Sequence, residues 1–287
     1  MNILYIGNHG QPNNDDEGAI SWGFRQLGHT VTELHENCNF NNILNDINFS
    51  KFDFALFHRS ESELIKKVSE YIECVCWFFD PINKGFEFND VYIKEVKKYH
   101  TKMFFTDGDY VSDSKNKNFF SLKQGFDSRK IKLVDNIIPS RCISFLGNIN
   151  HTAYNERFLT CDAVKKKYND LFICDLNFNI FQDTLTEYCQ TTKIMLAMPP
   201  VTDMYWSNRV YVLGGRGAFL IHPSSQSLKE LFPCLPMYTD ASDLCNKIEY
   251  FLANPKESLE IRKELQNTII EKYKYKDRCE DIIKTFS

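Results

Sequence analysis

Short apolar runs recur along the chain, separated by stretches in which apolar positions return every three or four residues. Ile3–Ile6, Thr30–Leu34, Phe54–Phe57, Cys74–Phe79 and Met103–Thr106 read as strands, and Glu17–Leu27, Glu61–Tyr71 and Asp90–Tyr99 read as helices between them. Strand and helix in alternation predict a parallel α/β sheet. Ser112–Asn118 reads as an exposed loop. After a proline-bearing segment at Ile137–Ser140 the pattern starts again, with strands at Cys142–Leu146, Leu171–Cys174, Lys193–Ala197 and Ala218–Ile221. Helices are expected at Val210–Leu213, Ala241–Leu252 and Pro255–Lys272, and Lys276–Phe286 is amphipathic enough to dock on a neighbour. Two Rossmann-like α/β domains follow, 1–139 and 140–287, with the last helix free to pack back on the first.

In open sheets of this kind ligands bind at the carboxyl ends of the strands. The long polar loop 8–16 after the first strand is one such place. Another is the run Tyr205-Trp-Ser-Asn-Arg-Val-Tyr-Val-Leu-Gly-Gly-Arg-Gly, which sets a polar cluster, a short helix and a glycine break before an apolar strand. Ser207, Asn208 and Arg209 open that helix, where unpaired N–H groups and the dipole favour an anion and Arg209 adds a fork for phosphate. Gly214 and Gly215 end the helix and let backbone approach backbone or ligand. Read by itself, the same stretch is also an ordinary capped helix with a glycine stop.

Composition narrows the classes. Of 287 residues, 34 are Lys or Arg and 38 are Asp or Glu, a formal charge of −4, so no global basic field points to nucleic acid, although a local patch stays open. Within the first domain Lys94, Lys97, Lys98, Lys102, Lys115, Lys117, Lys123, Arg129, Lys130 and Lys132 form such a basic stretch, which is equally a solvated face. No membrane span or leader is evident, which predicts a cytoplasmic protein. The ten cysteines show no two-residue spacing of the metal or redox kind, so buried reduced thiols and no metal site are expected.

Several blocks carry a resemblance: Trp77-Phe-Phe-Asp80-Pro81, Phe104-Phe-Thr-Asp107-Gly108, Gln124-Gly125-Phe126-Asp127, Phe145-Leu-Gly147-Asn148, the Tyr205–Tyr211 run with its glycines, and Tyr273-Lys-Tyr275-Lys-Asp-Arg278. In this order they resemble the GT-B glycosyltransferases, and more narrowly the spore-maturation-type and phage-encoded enzymes of the family 1/4 group. The resemblance implies two Rossmann-like domains facing across a cleft. It implies a nucleotide sugar, of the UDP-sugar kind, held mainly by the second domain without metal or other cofactor, and an acceptor on the first. One departure stands out: many relatives hold the donor ribose with acids in the helix and after the next strand, but here those places read Arg209-Val-Tyr-Val-Leu and Phe232-Pro-Cys-Leu-Pro-Met-Tyr238.

Glycosyl transfer needs a group to take the acceptor proton or stabilise a cationic state, and compensation for the departing diphosphate. Asp80, His58 and Glu17 are the catalytic candidates. Against those roles stand a turn aspartate, a histidine satisfied in the sheet edge and a helix-start acid favoured by the dipole. His9 and Asp107 are candidates for acceptor contact, with turn roles as the alternative. Gly147 and Asn148, in the first turn of the second domain, are donor candidates together with Tyr205, Ser207, Asn208, Arg209, Gly214 and Gly215; Tyr205 is a base-stacking residue or core, as is Trp206. A phage-like setting makes DNA modification, with a hydroxymethylated base as acceptor, one reading. A glycan, protein or small-molecule acceptor, a catalytically silent nucleotide-binding protein and a sugar-nucleotide epimerase are the others.

Overall fold

A computed structural model describes residues 1–10, 15–36, 46–82, 86–134, 139–147, 155–175, 182–198 and 202–286. Two compact units result, one of Met1–Asp127 with Tyr275–Ser287 and the other of Ser128–Lys274. The chain therefore divides after Asp127, not at residue 139, and its C-terminal helix belongs to the first unit.

The first unit is a sheet of β1 (Asn2–Gly7), β2 (Thr30–His35), β3 (Phe54–Phe57), β4 (Cys74–Phe78), β5 (Lys102–Phe105) and β6 (Phe119–Ser121), in the order β2-β1-β3-β4-β5-β6, with every pair parallel. A parallel sheet is covered on both faces, so its strands are apolar throughout instead of alternating, and every residue of β3 and β4 is buried. Residue parity decides the face. Leu4, Ile6, Ala55, Phe57, Cys76 and Phe78 pack toward the helices Ser62–Ser69 and Glu87–Val96. Ile3, Tyr5, Phe54, Leu56, Val75 and Trp77 pack toward the helix Asp15–Gln26 and the C-terminal helix Tyr275–Lys284. The latter is held by Cys279 Sγ donating to Ile20 O (3.4 Å), by Tyr275 N to Phe126 O (3.0 Å) and by the Tyr275 hydroxyl to Asp16 Oδ1 (2.5 Å).

The second unit repeats the plan with β7 (Arg141–Leu146), β8 (Phe172–Asp175), β9 (Thr192–Leu196), β10 (Leu220–Pro223) and β11 (Met237–Tyr238), ordered β11-β10-β9-β7-β8 and again parallel. Both sheets thus reverse direction beside their first strand, between β1 and β3 and between β7 and β9. Connections there leave toward opposite faces, which opens a crevice at the carboxyl edge.

Two expectations need correction. The segment expected as loop at Ser112–Asn118 begins inside the helix Gly108–Ser114, because Asp107 caps that helix through Tyr110 N (3.2 Å) and outweighs the local polar composition. The helix Glu87–Val96 starts a turn earlier than the Asp90 start read from the pattern. Among the described residues no helix is long and apolar enough to cross a membrane.

Candidate active site

In the second unit the crevice between β7 and β9 is built around Arg209. Its helix, Arg209–Gly215, is one residue longer at the start and two at the end than its apolar pattern suggests. The guanidinium reaches back over β7: Nε donates to Leu146 O (3.4 Å), Nη1 to Ser207 Oγ (3.4 Å), and Cζ stands 5.9 Å from the Phe145 ring centroid. Ser207 Oγ also accepts from Arg209 N (3.3 Å), so one hydroxyl holds both ends of the residue. Gly147 makes room for it. A Cβ there would lie 2.6 Å from Arg209 Nη2, and its φ of +151° is one that side chains rarely adopt.

A second arginine shares the crevice. Arg157, in the first turn of the helix Asn155–Tyr168, donates through Nε to Met198 O (2.5 Å) just beyond β9 and lies 5.7 Å from the same Phe145 ring. It is buried. Two guanidiniums therefore stand near the Phe145 ring, one fixed to the end of each switch-point strand. Two cations at one strand edge are suited to an anion such as a diphosphate. Arg157 is not among the residues that the sequence singles out, and its position in the first turn of the helix that follows β7 is the signal that could have found it.

The other expected donor residues fall into three groups. Ser207 and Asn208 stand beside Arg209, half-buried, with Ser207 bonded as above and Asn208 at the helix start. Tyr205 and Trp206 are buried, and the Trp206 indole donates to Tyr211 Oη (3.2 Å), so both belong to core. Gly214 and Gly215 sit at the far end of the helix from Arg209. A Cβ on Gly214 would come within 2.7 Å of Ile269 Cδ1 and 3.0 Å of Leu265 Cδ2, and Gly215 O accepts from Gln266 Nε2 (3.0 Å). The missing side chain of Gly214 admits the helix Pro255–Lys272, and Gly215 binds the same helix through its carbonyl. Asn148 lies outside the described residues.

Nearby, His222 lies in β10, fully buried. Its Nδ1 hydrogen bonds Pro223 O (2.8 Å), and because a carbonyl only accepts, Nδ1 carries the proton. Burial first, and the Arg209 charge after it, pull its pKa down to about 4, so the imidazole is neutral at physiological pH.

The first unit gathers its polar groups at the switch point between β1 and β3. His58 is buried between strands: its Nδ1 hydrogen bonds Trp77 O (2.7 Å), so Nδ1 holds the proton and Nε2 accepts from the Tyr5 hydroxyl. Desolvation lowers its pKa to about 4. Both ring nitrogens are engaged, which makes His58 a support for Tyr5 beneath the edge. His9 packs edge-on against Tyr5 (centroids 4.6 Å) with Nε2 3.0 Å from Tyr5 O.

Glu17 differs. Half-buried in the first turn of its helix, it packs on Gly7, where a Cβ would stand 3.3 Å from Glu17 Cγ. Burial raises its pKa to about 7, with the charges of Asp16 and Glu36 adding to the rise and backbone N–H groups of Glu17 and Asn8 opposing it. A carboxylate poised near neutrality is suited to accept a proton.

Asp80 is open to solvent on 55% of its side chain and pairs with Arg59 across 3.6 Å. The protein packed beneath it pushes its pKa up, and Arg59 pulls it back. Asp107 is buried, and both carboxylate oxygens are occupied by backbone: Oδ1 accepts from Tyr110 N and Oδ2 from Ile82 N (3.1 Å). It is a helix cap and loop anchor, which leaves acceptor contact at this edge to other side chains.

The chain has the α/β fold of the GT-B glycosyltransferases, and residues 143–284 match the family described as glycosyl transferase-like. An alpha-glucosyltransferase in complex with UDP and a 13-mer DNA containing a central A:G mismatch is similar at a TM-score of 0.69 and 11% identity, over 100% of this chain and 99% of that one. Anabaena HepE in complex with UDP-glucose is similar at 0.65 and 9%, with the same coverage. AviGT4, a glycosyltransferase involved in avilamycin A biosynthesis, is similar at 0.58 and 11%, over 99% and 96% of the two chains. No curated protein matches the chain in sequence.

Proposed function

We propose that the protein transfers a sugar from a UDP-sugar donor to an acceptor hydroxyl, without a metal ion. The carrying observation is the Arg209 guanidinium laid over Gly147 at the switch point of the second sheet, with Arg157 beside the same Phe145 ring. In the reaction the bond from the anomeric carbon to the diphosphate oxygen breaks, and one from the acceptor oxygen to that carbon forms. Two guanidiniums meet the charge that builds on the leaving diphosphate, which is the work a metal does elsewhere. Glu17, with its pKa near 7, takes the acceptor proton. Of the catalytic candidates it alone is half-buried, since Asp80 is exposed and His58 is buried between strands.

For the acceptor, the reading favoured here is a hydroxymethylated base in DNA, in keeping with the phage-type resemblance and with the DNA held by the similar alpha-glucosyltransferase. The decisive experiment is calorimetric titration of UDP-glucose and UDP into wild type and Arg209→Ala. Binding in the micromolar range that weakens at least about tenfold in the variant supports the donor site. Absence of binding to wild type overturns the reading.

A further inference from the structure

The loops beyond β3 and β4 build an exposed platform that the transfer chemistry leaves unused. Arg59 Cζ stands 5.3 Å from the ring centroid of Phe88 and 5.7 Å from that of Tyr92. Its Nη1 lies 3.6 Å from Asp80 Oδ2. Tyr92 is fixed from below, its hydroxyl donating to Ser60 O (3.0 Å) and accepting from Ser60 N (3.1 Å). Phe88, by contrast, is 48% exposed on the first turn of its helix, an apolar ring half in water beside the Arg59 guanidinium.

We infer that Phe88, Arg59 and Asp80 form the acceptor subsite and take a nucleobase. An aromatic face and an adjoining guanidinium plane are what an unstacked base lies upon. Side by side, the guanidinium offers donors and the carboxylate offers acceptors, matching the mixed edge of a base that has left its pairing partner. The Arg59–Asp80 pair is long and solvent-exposed, so exchanging it for bonds to a base costs little. Lys97 and Lys98 are exposed in the turn that follows the helix and add positive charge to the surface of this unit, whereas Lys94 pairs with Asp90 at 2.5 Å. This inference rests on the DNA-base acceptor reading above and names the residues that would recognise the base.

The test compares a short fluorescent duplex carrying one hydroxymethylated cytosine with the same duplex abasic at that position, by anisotropy, against wild type, Phe88→Ala, Arg59→Ala and the control Tyr71→Ala. Wild type and Tyr71→Ala are expected to prefer the base-bearing duplex by about tenfold, as one stacking contact provides. Phe88→Ala and Arg59→Ala are expected to bind both duplexes alike. Equal binding of the two duplexes by wild type, or full preference kept by Phe88→Ala, overturns the inference. Titration of UDP into the same preparations separates the two failures: intact UDP binding with no base preference removes the nucleobase subsite and leaves the donor site standing, whereas loss of UDP binding in wild type removes both.

Discussion

Arg209 and Gly147 occupy each other's space: a Cβ on Gly147 would meet Arg209 Nη2 at 2.6 Å, so the guanidinium can rest over β7 only because residue 147 has no side chain. A side chain there would displace the arginine and strain a backbone held at φ +151°. Gly147→Ala is therefore expected to lower UDP affinity about as far as Arg209→Ala does, and to cost about 1–3 kcal/mol of stability, which Arg209→Ala does not. Calorimetry with UDP and chemical denaturation of both variants check the pair; a Gly147→Ala protein with wild-type UDP affinity would contradict the relationship.

Gly214 makes the opposite case. Its neighbours are Ile269 and Leu265, so Gly214→Ala overpacks a helix contact and should cost about 1–3 kcal/mol, while UDP affinity in the fraction that stays folded is unchanged. A denaturation midpoint read beside a UDP titration distinguishes packing from donor binding.

Glu17 gives a pH dependence whose sign is fixed. With its folded pKa raised to about 7, its carboxylate is available as a base only as pH rises through that value, so transfer rate should climb between about pH 6 and 8. Glu17→Gln should flatten this rise and lower kcat by about 100-fold or more, with UDP affinity retained. A retained pH rise in the variant would move the base elsewhere.

Stability carries the mirror image. A carboxyl with a folded pKa above its unfolded value binds its proton more tightly in the native state, so stability falls as pH climbs from about 4.5 to about 7 and the cost is complete above that. Glu17→Gln is expected to be more stable than wild type at pH 8, with the advantage gone at pH 4; melting temperatures at the two values measure it.

Tyr5 holds up His58. In Tyr5→Phe the buried Nε2 loses its donor, and an unpaired buried acceptor costs about 1–3 kcal/mol, so the melting temperature should fall by several degrees. Replacing His58 as well should recover part of the loss, because the orphaned nitrogen is then gone.

The sequence by itself determined the fold class. Runs such as Phe54–Phe57 and Cys74–Phe78 are apolar on both faces, which only a covered parallel sheet satisfies, and the helices between them fix the α/β alternation. It also singled out the Ser207–Arg209 cluster, since a polar group at a helix start after a strand is a local pattern. Tertiary structure decided what local pattern cannot carry. Whether a glycine serves a ligand or a helix depends on what packs against it, and Gly147 meets Arg209 while Gly214 meets Ile269. Charge alone made Asp107 and Glu17 look alike; one is consumed by two backbone N–H groups and the other is desolvated to a pKa of about 7. Arg157 reached Phe145, and Tyr275 reached Asp16 from the far end of the chain, through contacts across long sequence separations. Burial and partnership are set by the whole fold, and with them the chemistry of each side chain.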